Sequence, residues 1–166
     1  MIILFRGWLY RNIVSYRIIG ERTVYIANNK QFIQYIDEND RKNADIEAII
    51  KSSLRITSKK LTFGTGKTEY DPNKLIYSKK ANCIGYALFY CAVCNDLLKK
   101  HHLSNWEACP GIGQLYVFGV NIHHYLHHPF LKDHDFVLIE NKKTHKQFSV
   151  DPSLYDYLYI NLVTCK

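Results

Sequence analysis

A chain of 166 residues, 47% of them hydrophobic, is long enough to bury one core, and no linker-like tract divides it. Its formal charge of +7 is spread over separate doublets, Lys59-Lys60, Lys79-Lys80, Lys99-Lys100 and Lys142-Lys143, and the lack of a basic stripe makes nucleic acid an unlikely partner. No apolar run approaches membrane-spanning length, and five cysteines without a recognisable leader favour reduced thiols and a cytoplasmic setting.

One domain, 1–166, is expected, with N-terminal elements of unassigned role over 1–42 and the core over 43–166. Residues 1–20 are rich in Ile, Leu, Trp and Tyr, but Arg6, Arg11 and Arg17 interrupt them. A secretory leader fits poorly, since the apolar stretch precedes the charge and no small-residue cleavage site follows. An element packed on the core is favoured over an interfacial helix, because the arginines are not confined to one helical face. Residues 23–27 suggest a short strand, and 30–36 a helix of a turn or two before the polar run 37–42. Residues 43–54 predict a helix: Asn43 can cap it, Asp45 and Glu47 suit its first turn, and Ile46, Ile49 and Ile50 form an apolar stripe. With Gly64, Gly66, Asp71 and Pro72, residues 57–78 read as mostly loop. Gly64-Thr65-Gly66-Lys67-Thr68 is similar to a phosphate-binding loop, but Leu61 stands where the earlier glycine is required, which excludes nucleotide binding.

The strongest helix spans 83–100, where Tyr86, Ala87, Tyr90, Cys94, Leu97 and Leu98 recur at three- and four-residue spacing and Lys99-Lys100 complements the C-terminal dipole. Residues 106–122 suggest two strands around Pro110-Gly111. Residues 134–140 and 145–151 then read as a hairpin turning at 141–144. Helices grouped before strands indicate an α+β fold, the central helix packed on an antiparallel sheet.

Chemistry concentrates at the start of that helix. Unpaired N–H groups and the dipole at a helix N-terminus stabilise a thiolate, and Cys83 stands there. Downstream, His134 can exchange its proton and Asp151 can orient the imidazole. With a loop over 141–144, Glu140 faces His145 and His134 faces Asp151, with Cβ atoms roughly 5 Å apart. Val137, Ile139, Phe148 and Val150 then share one buried face. Asn82 and Tyr77 are candidate side-chain donors to a developing oxyanion, and His127 and His128 candidate substrate-facing residues. Cys91 and Cys94, with His123, His124, His127 and His128, raise a zinc-stabilised nucleic-acid-binding alternative. Both cysteines fall inside the helical run, however, with Cys94 only about 20° around it from Cys83, so core packing is expected and no metal or cofactor.

Asn82-Cys83-Ile84-Gly85-Tyr86-Ala87, His134-Asp135-Phe136-Val137 and Asp151-Pro152-Ser153 occur in that order within about 70 residues. Together they resemble the nucleophile, histidine and aspartate motifs of the transglutaminase-like superfamily, which has a papain-like core. The resemblance implies nucleophile, general acid/base and orienting roles for Cys83, His134 and Asp151. It further implies a thiol peptidase or amidase acting on peptide or protein amides, with transglutamination as its transamidating form and an inactive binding domain as the alternative.

Overall fold

The computed structural model describes residues 2–41, 45–66, 68–126 and 131–166, with backbone alone for 2–4. In chain order its elements are α1 (Ile2–Ile13), β1 (Val14–Glu21), α2 (Lys30–Asn39), α3 (Ile46–Lys60), β2 (Thr62–Phe63), α4 (Pro72–Leu75), β3 (Lys80–Ala81), α5 (Cys83–Lys100), β4 (Trp106–Val117), β5 (Val120–Asn121), a 3₁₀ turn (Ile122–Tyr125), β6 (His134–Asn141), β7 (Gln147–Val150) and α6 (Pro152–Leu158). The fold is mixed α+β around an antiparallel sheet ordered β1-β4-β6-β7, with β5 added to β4.

α5 has the bounds its spacing predicts. Thirteen of its 18 residues are buried, so the helix is enclosed by its neighbours and does not lie on the surface. Tyr86, Phe89, Tyr90 and Leu97 meet Ile50 and Leu54 of α3 and, from the sheet, Ala108, Val137, Ile139 and Val150 in one core. A second cluster joins Tyr16, Phe136 and Val163, with Leu115 and Leu138 packed against it. Because side chains alternate along a strand, β6 serves both clusters, Val137 and Ile139 in one and Phe136 and Leu138 in the other.

The described residues before α3 include a strand of the main sheet. β1 pairs along β4 from Val14↔Val117 to Glu21↔Gly111, and the C-terminal segment bonds its other side through Tyr16 N–H to Thr164 C=O and Lys166 N–H to Tyr16 C=O. Tyr16 is thereby held on both sides and is fully buried. α1 packs less closely, with Phe5 and Trp8 about three-fifths exposed.

Several expectations are corrected. Residues 23–27 form no strand: Ile26 is 78% exposed, and β-branched residues without a pairing partner do not make a ladder. α2 runs on through the polar stretch to Asn39. Asn43 lies outside the described residues; the cap of α3 is Asp45, whose carboxylate accepts from Ala48 N–H at 2.7 Å. α3 continues to Lys60, and β2 and α4 further reduce the loop expected over 57–78. β4 is one strand, not two, and passes through Pro110. The Pro110 carbonyl accepts from Arg22 N–H, so its donor-less nitrogen points to the same side, just beyond β1, where no ladder bond is lost.

The hairpin register is also corrected. Glu140 pairs with Gln147, not His145, because β6 extends through Asn141 and the loop begins one residue later than expected. Asn141 N–H bonds Lys146 C=O and His145 takes a positive φ of 56°, which places the reversal at 142–145. Every pair therefore slips by two residues. A two-residue slip preserves the faces, so Val137 opposes Val150 and Ile139 opposes Phe148, still on the buried side.

Gly113 marks the closest approach inside the sheet. A Cβ there would fall 2.5 Å from Cε1 of Phe136, whose ring also packs on Tyr16 at 5.1 Å between centroids. Gly113→Ala should displace that ring and lower the unfolding free energy by about 1–3 kcal/mol, to be measured by urea denaturation.

Candidate active site

The N-terminus of α5 carries Cys83, the first of the candidate residues. Asn82 caps the helix, its Oδ1 accepting from Gly85 N–H at 3.2 Å, which leaves Cys83 as the first helical residue with its own N–H outside the helical ladder. The parallel pairs Thr62↔Lys80 and Phe63↔Ala81 steer the chain into that turn. A Cβ at Gly85 would sit 2.9 Å from Cβ of Ala81, so the approach strand lies directly against the helix and only glycine fits. Cys83 keeps 6% exposure and is not part of the apolar core that contains Cys91 and Cys94, both at 0%.

His134 opens β6 and Asp151 follows the last residue of β7. Their contact does not depend on the cross-strand pairing expected for them. Asp151 lies beyond the ladder as the N-cap of α6 and reaches the imidazole from there, Nε2 donating to Oδ2 at 2.7 Å. Oδ2 also accepts from Tyr16 Oη at 2.9 Å, while Oδ1 accepts from Ser153 Oγ at 2.7 Å and Leu154 N–H at 3.0 Å. Four donors thus fill a carboxylate that is 2% exposed.

These bonds oppose the effect of burial. Desolvation would raise the Asp151 carboxyl, but the His134 charge and hydrogen bond, with Leu154 N–H and Ser153, hold it below the usual carboxylate range. Desolvation would lower His134, yet the charge and hydrogen bond of Asp151, joined by smaller hydrogen-bonding and charge contributions from Cys83, raise it well above 6.5. Nε2 is thereby committed to Asp151, and Nδ1 is the ring nitrogen that this bond leaves over.

Tyr16 was invisible as a site residue in the sequence. Its single hydroxyl proton goes to Asp151, so the Tyr10 hydroxyl, 2.8 Å away, donates to the Tyr16 oxygen. Burial pushes Tyr10 up to about 12 and, with the Asp151 charge, raises Tyr16 well above 10, keeping both phenols protonated as donors. Only tertiary pairing of β1 with the C-terminal half brings them here. Arg22, just past β1, donates from Nε to Oδ1 of Asp135 at 2.8 Å and lies close enough to Cys83 for their charges to interact.

The other candidates sit apart from this arrangement or partly so. Asn82 Oδ1 is used by the helix cap. Tyr77 is 63% exposed, and its oxygen accepts from Asn29 Nδ2 at 3.0 Å, at the start of α2. His127 and His128 lie outside the described residues. Cys91 and Cys94 face the core with pKa values raised by burial, Cys94 to about 12. Among the described residues no group of three His, Cys, Asp or Glu side chains is gathered as a metal would require, and no helix is long and apolar enough to cross a membrane.

No protein-family model, no curated protein and no solved structure matches the chain.

The raised His134 value means that its pairing stabilises the fold fully below about pH 6.5 and that this contribution is lost as pH rises through the folded value. For Asp151, lowered from 3.8, the contribution is present above that pH and is lost as pH falls through its folded value. The NMR titration of His134 should therefore have its midpoint well above 6.5 and move down in Asp151→Asn. Stability measured against pH should lose its alkaline slope in the same variant.

Proposed function

We propose that the protein is a cysteine-nucleophile hydrolase acting on amide bonds, a peptidase or amidase with a papain-like or transglutaminase-like arrangement of Cys83, His134 and Asp151. The observation that supports this reading is the His134 ring, one nitrogen of which is fixed by a buried carboxylate 2.7 Å away, while Cys83 stands as the first residue of a helix. A base held in one tautomer and orientation beside a nucleophile is what acyl transfer requires.

In this mechanism the Cys83 thiolate attacks the amide carbonyl while His134 holds the proton as imidazolium. The C–N bond of the tetrahedral intermediate breaks as His134 passes that proton to the departing amine, leaving a thioester on Cys83. Water then adds with its proton taken by His134, and the acid leaves as the thiol reforms. Asp151 remains ionised throughout, because its four donors favour the charged form. The main-chain N–H of Cys83, outside the helical ladder, would supply one donor to the developing oxyanion, and Asn82, whose Oδ1 is used by the cap, offers its Nδ2 as a second. Hydrolysis is preferred to transamidation, which needs a second site specific for an amine.

Alkylation at neutral pH, mapped by mass, should label Cys83 well before Cys91, Cys94, Cys109 and Cys165, all four of which have raised pKa values. Turnover of a labelled peptide and amide library should vanish in Cys83→Ala and fall by about 10²–10⁴ in His134→Ala. Uniform labelling, or turnover that survives Cys83→Ala, would refute the proposal. Selective labelling without any turnover would point to a non-catalytic binding domain.

A further inference from the structure

α1 turns an apolar side outward. Among its described side chains Tyr10 is the one taken into a core cluster, whereas Phe5, Trp8 and Leu9 are 61%, 60% and 46% exposed. Spaced i, i+3 and i+4, these three form one stripe along the helix. A helix that served only as packing would bury such a stripe. Exposed aromatic surface also continues past the helix end. Phe118 N–H donates to the carbonyl of Ile13, the last residue of α1, and the Phe118 ring is 77% exposed. Phe118 and Gly119 make the two-residue turn between β4 and β5, with φ of 50° and 82°. An uncovered phenyl ring thus stands where such a turn ordinarily takes Asn or Gly.

The charge around the stripe has one sign. Residues 1–20 hold Arg6, Arg11 and Arg17 and no Asp or Glu. At 100° per residue, Arg6 and Arg11 stand about 110° to either side of the stripe's centre. They share no single face because they flank the apolar one. Arg11 is exposed, and Arg6 lies over the Tyr159 ring at 5.8 Å. Glu47, the acid that lines a cleft with both, is paired with Lys51 at 3.8 Å. A second copy seated on the stripe would bring its own arginines against these, which like charges oppose. An anionic bilayer surface offers the complementary arrangement, hydrocarbon for the stripe and Trp8 at the boundary, with phosphates for guanidinium groups along both edges. With 12 residues the helix lies on such a surface and does not cross it.

We propose that α1 is an interfacial anchor by which the protein docks on an anionic membrane. Phe5, Trp8 and Leu9 enter the acyl boundary, Arg6 and Arg11 meet lipid phosphates, and Phe118 adds apolar surface beside the last turn. This docking is independent of the hydrolase reading.

The test is co-sedimentation of the full chain with vesicles of phosphatidylcholine alone or with about one-third phosphatidylserine. Binding should favour the anionic vesicles, weaken as salt is raised, and shift tryptophan emission to the blue, a shift absent from Trp8→Ser. Trp8→Ser/Leu9→Ser should weaken binding by about thirtyfold. Arg11→Gln should weaken it by about fivefold on anionic vesicles and leave the neutral ones unchanged. Both variants replace exposed side chains, and their circular dichroism should match that of the parent protein. No sedimentation with anionic vesicles, equal binding to both compositions, or binding undiminished in Trp8→Ser/Leu9→Ser would overturn the anchor. So would a dimer in sedimentation velocity that the same double variant disperses, since the stripe would then belong to a second copy.

Discussion

A carboxylate withdrawn from water costs several kcal/mol unless an opposite charge and hydrogen bonds replace its hydration. Asp151 is in that position, and much of the local structure follows from satisfying it. Pro152 opens α6 so that Asp151 can cap it, supplying Leu154 N–H, and Ser153 folds back onto the same oxygen. The other oxygen is reached by His134 from β6 and Tyr16 from β1. One side chain therefore ties a helix start to two strands that are far apart in sequence, and each partner is fixed in turn by what the carboxylate requires.

This explains why β1 belongs to the core architecture. Tyr16 is held between β4 and the C-terminal segment, its ring packs on Phe136 and approaches His134 at 6.1 Å between centroids, and its hydroxyl reaches Asp151. The space for Phe136 exists only because Gly113, the cross-strand partner of His134, has no side chain. Packing in the second cluster and orientation of the imidazole are consequently one problem, solved by the same few residues.

Those parts of the molecule set by local pattern were legible in the amino-acid sequence. Cys83–Lys100 shows a long helical periodicity, and the faces of the final hairpin follow from strict alternation. Parts set by tertiary pairing were not. Nothing local distinguishes Val14–Glu21, which pairs, from residues 23–27, which do not, and Pro110 was read as a break because its position beside the end of β1 is a property of the sheet. Tyr16 and Arg22 carried no motif. The His134–Asp151 proximity was anticipated through a register that does not exist; a helix cap brings the carboxylate to the ring by another route.

Alternation along β6 gives that arrangement a further consequence. His134 and Asp135 are adjacent and therefore project to opposite sides of the strand, one toward Tyr16 and the Asp151 carboxylate, the other toward Arg22. Each engages a partner of opposite charge, and both partnerships are felt around Cys83. The tie to Asp151 governs where the proton resides, whereas the tie to Arg22 keeps the enclosed Asp135 carboxylate paired. Shifting this strand by one residue would exchange the two side chains and disable both at once, whereas a change in the hairpin loop that keeps the faces need not disturb either.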